Sequence, residues 1–180
     1  MKTSRIVGLV VVVLVVVPIA ALVYTFGVQR SYSRLNRGDY NSYLWLNGEL
    51  VTTPMTDWSF IDSIREIQVR TRTSYLIPHT INTDVARVGG QVYLYSIYTN
   101  PDRFPEEMFW HRNVVRDPRV RMKIGDRLFD MRVYHLTDPS QVKVVRQAFI
   151  IKYYSDLPPD KERPPDRGVF FRIEQATAGS

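Results

Sequence analysis

The chain has 180 residues, a formal net charge of +6 and a hydrophobic fraction of 44%. That is enough for one domain with a real core, and the basic balance suits anionic partners such as lipid head groups, a phosphate-bearing cofactor or an acidic protein surface. Cysteine is absent, which excludes a disulfide scaffold, a thiolate metal site, a Cys nucleophile and a lipoprotein N-terminus.

No charged residue stands between Arg5 and Arg30, and Ile6 to Val28 is a 23-residue apolar run. At ~1.5 Å per residue a helix of that length reaches ~34 Å, enough for a ~30 Å hydrocarbon core. A cleaved signal peptide has a shorter apolar region and small residues before its cut site, and Pro18 and Ile19 precede Ala20 and Ala21 here. The expectation is therefore an uncleaved transmembrane anchor over residues 1–28. It runs through Ile6, Val12 and Val28, with Pro18 as a kink and Tyr24 as an interfacial aromatic. Lys2 and Arg5 before the run are balanced by Arg30, Arg34 and Arg37 after it. A short basic N-terminus before a long apolar stretch behaves as a signal anchor. The expected topology is single-pass, with the globular domain on the extracytoplasmic, periplasmic side.

Residues 29–42 are polar and read as a juxtamembrane linker, and 43–175 as the globular domain, with 176–180 a short tail. Asn47-Gly48 between apolar stretches predicts a hairpin, and Ser59 to Ile64 a short helix. Glu66 to Thr73 alternates as a strand, and Thr80–Val88 and Gln91–Tyr98 pair across Gly89-Gly90. Pro105 followed by Glu106 and Glu107 predicts a helix start, and Asp117-Pro118 its end. Arg119–Ile124 and Arg127–His135 form a second hairpin across Gly125-Asp126. Asp138 caps a helix that has Pro139 in its first position and runs to Tyr153 or Tyr154. Leu157–Arg167 is a Pro-rich charged loop, and Val169–Ile173 a last strand.

Three stretches carry a family resemblance: the strand pair from Ile67 through Gly89-Gly90 to Ser96, the segment Phe109 to Arg127 (Trp110, Asn113, Asp117-Pro118, Gly125-Asp126-Arg127), and the short strand after the final helix. Together they resemble the split β-barrel superfamily, which includes FMN-binding pyridoxamine-phosphate-oxidase-like and deazaflavin-dependent nitroreductase-like proteins, and are nearest to its short uncharacterised members. The implied fold is α+β, mainly β: a six-stranded split β-barrel with two or three short helices. In such proteins the cofactor phosphate meets Arg, Lys, Ser or Thr on the first strands. The matching cofactor-binding positions are Arg70, Arg72, Thr73, Ser74 and His79, with Tyr95 or Trp110 near the ring. The chain departs from that pattern at Ser74-Tyr75-Leu76-Ile77-Pro78, where deazaflavin-type relatives carry a Gly-containing basic loop.

Arg119, Arg121 and Lys123 share one strand face and form a candidate partner or anion surface. The three histidines show no metal-ligand spacing, and no nucleophile elbow, P-loop or dinucleotide fingerprint is present, so no catalytic residue and no metal is expected. The aromatics fall at core-like alternating positions, which argues against nucleic acid. The reading that follows is a membrane-anchored, non-catalytic accessory or structural subunit of a membrane complex, of which a respiratory or photosynthetic electron-transfer assembly is one host. Its partners are the lipid bilayer, other membrane-protein subunits and a second copy in a homodimer. No cofactor is expected on that reading. The alternative is a membrane-tethered oxidoreductase dependent on FMN or deazaflavin.

Overall fold

The computed structural model describes residues 13–24, 46–74, 78–97, 100–158, 161 and 164–176. The chain divides into two units, Met1–Ser42 and Tyr43–Ser180. In the first, residues 13–24 form a helix, α1, whose apolar side chains are exposed. Pro18 and Tyr24 fall within it, whereas Ile6, Val12 and Val28 of the expected span lie outside the described residues. No helix among the described residues is long and apolar enough to cross a membrane.

The second unit is built on seven strands: β1 (Glu49–Val51), β2 (Glu66–Thr71), β3 (His79–Val88), β4 (Gln91–Ile97), β5 (Arg119–Ile124), β6 (Arg127–His135) and β7 (Gly168–Gln175). Their order is β1-β6-β5-β2-β3-β4-β7, and β6 also pairs with β7. Strands β2 to β7 therefore close a six-stranded barrel in which every pairing is antiparallel. One edge of β6 is shared: β7 takes Met131–His135, and β1 takes Arg127–Phe129 in parallel.

Alternation decides what faces inward. Ile67 and Val69 of β2, Val120, Met122 and Ile124 of β5, Phe129, Met131 and Val133 of β6, and Val169, Phe171 and Ile173 of β7 form one buried interior. Helix α2 (Phe109–Arg116) adds Trp110 and Val114 to that interior, and the 3-10 turn Ser59–Ser63 adds Ile61. Helix α3 (Pro139–Tyr154) lies on the outside. Its Val145 and Phe149 form a second cluster with Ala86, Tyr93, Tyr95 and Phe170. Burying a side chain the size of Phe149 contributes roughly 1.5–3 kcal/mol. The Asp138 carboxylate accepts from the Ser140 amide at 2.9 Å, and Pro139 begins the helix, as its sequence predicts.

The first arm of the expected Asn47-Gly48 hairpin, Tyr43 to Trp45, lies outside the described residues, and the strand after it joins β6 in parallel. Gly48 serves a close approach: a Cβ there would sit 2.5 Å from the Asp126 carbonyl oxygen, the same oxygen that accepts from the Glu49 amide at 2.9 Å. One expectation is corrected: Pro105 does not begin α2. The Phe104-Pro105 bond is cis, residues 104–107 form turns, and the extended backbone of Met108 delays the helix to Phe109.

A candidate anion-binding face

Residues paired directly across antiparallel strands share a face of the sheet. Arg70 of β2 lies opposite Thr80 of β3 on one side and Arg121 of β5 on the other, and Arg121 lies opposite Asp130 of β6. Thr80, Arg70, Arg121 and Asp130 thus form one row across the outside of four strands. Gln68 and Lys123 pair in the next row, and Arg119 and Arg132 pair on the far side. The phosphate candidates on β2 and the basic stripe on β5, separate in the sequence, are a single surface.

The arginines on it differ in their partners. Arg121 is forked onto Asp130 at 2.8 and 2.9 Å, and that hydrogen bonding raises its pKa. Arg119 reaches Asp117 at 2.8 Å, with Arg72 at 3.9 Å from the same carboxyl group. The Arg119 hydrogen bond, against some cost of burial, holds Asp117 below the usual carboxylate range. Arg70 has no carboxylate partner among the described residues. Burial first, and then the charge of Arg121, lower its pKa below the ordinary arginine value. The Thr80 hydroxyl beside it is buried and has no hydrogen-bond partner among the described residues.

The other predicted positions separate. Arg72 follows the end of β2 as an exposed side chain, and its carbonyl accepts from the Arg116 guanidinium. Thr73 is buried, and Ser74 is exposed in a turn. His79 pairs with the inward-facing Thr71, and its ring meets Phe109 edge-on at 5.1 Å. Trp110 is in the barrel interior, 4.8 Å from the Phe171 ring. Tyr95 stacks on Phe170 at 5.1 Å beneath α3, and its hydroxyl donates toward the carbonyls of Pro164 and Arg167. Neither ring candidate joins the arginine row.

The interior is equally specific. Asn113 of α2 donates to the Thr71 hydroxyl at 3.0 Å, and Thr71 donates to the His79 carbonyl at 3.2 Å. His111 is fully buried among Phe104, Trp110 and Phe171, and neither ring nitrogen has a hydrogen-bond partner among the described residues. Burial, reinforced by nearby His135, pushes its pKa down to about 3, and burial pushes His79 down to about 4. Among the described residues no group of three or more His, Asp or Glu is placed to hold a metal ion. A cavity of about 270 Å³ lies at the Gly90 end of β3, lined by Met55, Trp58, Gln91 and Gln175 among others. It contains none of the predicted site residues.

Sequence reasoning misses Thr80, Asp130 and the Asn113–Thr71 bond. Thr80 enters the row through the β2–β3 pairing and Asp130 through the β5–β6 pairing, and the β2–β5 register that joins the two halves is encoded by nothing local in the chain.

No protein-family model and no curated protein matches the chain. Among solved structures it is similar to a conserved hypothetical protein of Mycobacterium tuberculosis, at 17% identity over 71% of this chain and 85% of that one, with a TM-score of 0.50. A putative pyridoxamine 5'-phosphate oxidase from Listeria innocua aligns at 15% identity over 65% and 88%, TM-score 0.46. A FAD-binding protein from Mesorhizobium loti aligns at 19% identity over 65% and 85%, TM-score 0.42. The closed six-stranded antiparallel arrangement is a split β-barrel. At these identities the likeness is one of fold.

Proposed function

We propose that this chain is a membrane-tethered split-barrel protein, a non-catalytic accessory subunit of a membrane complex with its barrel on the extracytoplasmic side. An electron-transfer assembly is one host that suits the fold. The apolar run Ile6–Val28 and the exposed apolar side chains of α1 support the tether. The observation that carries the non-catalytic reading is the commitment of Tyr95 and Trp110, the expected ring-packing residues, to two separate cores away from Arg70. A flavin or deazaflavin needs a phosphate site and a ring platform together. Arg70 and Arg72 fit the phosphate end; the expected ring end does not fit, so no redox step is assigned to the chain.

One observation favours the alternative, an FMN- or deazaflavin-dependent oxidoreductase. The Thr80 hydroxyl and the Arg70 guanidinium beside it, neither with a hydrogen-bond or carboxylate partner among the described residues, are the donor-and-cation set that a phosphate monoester accepts from. Purification from the native membrane in mild detergent separates the two readings. The accessory reading expects a colourless protein that migrates only within a large complex. A yellow protein with a flavin spectrum overturns it.

A further inference from the structure

The outer face of β2, β5 and β6 is unusual in what it lacks as well as in its charge. Arg70, Arg72, Arg119, Arg121, Lys123 and Arg132 meet on it, against the carboxylates Glu66, Asp117 and Asp130, with Glu174 of β7 opposite Arg132. Arg72 and Arg119 expose 60% and 53% of their side chains, so the positive charge reaches solvent. Among the described residues of the barrel unit the exposed large apolar side chains are Leu50, Val115, Val144, Ile151 and Leu157, and none lies on these three strands. Stable protein interfaces centre on a desolvated, charge-poor core with a polar rim, and the described residues of this face offer no such centre. A layer of lipid phosphates needs none: basic side chains near an anionic bilayer each contribute independently, without a shaped pocket.

We infer that this face docks the barrel onto anionic phospholipid head groups of the bilayer that holds the tether. The inference rests on the tethered reading above and adds to it a second, electrostatic membrane contact. Arg70 is the side chain with most to gain, since it has no carboxylate within ion-pair distance among the described residues and stands directly opposite Arg121, whose charge Asp130 offsets only in part. A phosphate diester beside it relieves that repulsion. Arg121, already forked onto Asp130, contributes less.

The absence of cysteine makes the test direct, because any introduced thiol is unique. Full-length Gln68→Cys, labelled with an environment-sensitive fluorophore in the middle of the face, is reconstituted into nanodiscs of phosphatidylglycerol and phosphatidylcholine or of phosphatidylcholine alone. Gln147→Cys, on the exposed side of α3, is the control. The docked state shields the Gln68 label from acrylamide in the anionic discs only, and high salt reverses the shielding. Arg70→Gln and Lys123→Gln each lower the docked-to-free ratio about fivefold, and Arg119→Gln, whose guanidinium is forked onto Asp117, lowers it less. Equal shielding in both lipids overturns the inference, as does shielding that survives the triple variant. Shielding found only in native membranes, and not in anionic discs, assigns the face to an acidic protein and also overturns it. Carbonate washing tests the tether separately: a chain that washes off refutes the tethered reading, while a chain that stays in the membrane without shielding refutes only the docking.

Discussion

Arg70 and Arg121 stand directly opposite one another on β2 and β5, two guanidinium groups on one face, and Asp130 pairs with only the second. Like charges opposed across a sheet cost roughly 0.2–1 kcal/mol, so the two arginines have opposite effects on stability. Arg70→Met, which keeps the aliphatic stem, is expected to leave stability unchanged or raise it by up to about 1 kcal/mol. Arg121→Met frees Asp130 and is expected to cost about 0–1 kcal/mol, because that pair is half exposed. Urea unfolding of the detergent-solubilised chain, followed by circular dichroism, checks both signs. A clear loss of stability in Arg70→Met would mean that Arg70 is paired after all.

The Asn113–Thr71 bond ties α2 to the β2–β3 hairpin in a fully buried setting. Asn113→Ala removes one donor of the chain that continues to the His79 carbonyl, with an expected cost of about 1–3 kcal/mol. Thr71→Val removes the other partner, and the double variant should cost less than the sum of the singles. Strict additivity in a denaturation cycle would show that the two side chains do not interact.

Most of the barrel is legible in the chain because its strands announce themselves by alternation. Val120, Met122 and Ile124 against Arg119, Arg121 and Lys123 fix both the strand and its inward face, and Gly89-Gly90 and Gly125-Asp126 mark the turns. The Asp138-Pro139 helix start is legible for the same local reason. The parts that mislead are non-local. Gly48 reads as a turn residue, and its close approach to the Asp126 carbonyl of a distant hairpin is a second use of glycine that no local pattern shows. The arginine face reads as two sites because the β2–β5 pairing joins residues about fifty positions apart. Resemblance alone names Trp110 and His79 as cofactor positions; in the fold α2 turns Trp110 into the barrel and sets Phe109 against the His79 ring.

Close approach gives a third prediction. A Cβ at Gly48 meets the Asp126 carbonyl oxygen at 2.5 Å, and one at Gly168 meets the Tyr95 ring at 2.5 Å and the Ser96 carbonyl oxygen at 2.6 Å. Backbone lies in the way at both sites, so neither clash is relieved by a side-chain rotation. Gly48→Ala should push β1 off β6, and Gly168→Ala should disturb the β4–β7 pairing, each costing more than the ~1 kcal/mol of left-handed backbone strain alone. Gly89→Ala is the reference: its φ is +56° but nothing lies within 4 Å, so it should cost only that strain. Thermal unfolding should rank Gly89→Ala as the mildest of the three.

The buried imidazoles give the chain a defined acid sensitivity. His79 and His111 have folded-state pKa values of about 4 and about 3, both lowered chiefly by burial from an ordinary 6.5. The unfolded chain therefore binds protons that the folded one refuses, and stability is lost as pH falls below about 6.5. Above that pH both states carry neutral imidazoles and these groups exert no pH dependence. Below it the loss approaches about 1.4 kcal/mol per pH unit for each histidine, with His79 levelling off near pH 4 and His111 continuing lower. The carboxylates of Asp62, Asp117 and Asp138, whose pKa values are lowered from 3.8 by hydrogen bonds to Arg87, Arg119 and Ser140, add their own loss only at still lower pH. The window between pH 6.5 and 4.5 thus belongs to the buried histidines, with half-buried His135, also lowered by burial, as a smaller contributor. His111→Phe keeps an aromatic ring among Phe104, Trp110 and Phe171 and removes one titrating group. Its urea midpoint should fall about half as steeply across that window as the wild-type midpoint does. An unchanged slope would mean that His111 takes up its proton without leaving the folded state.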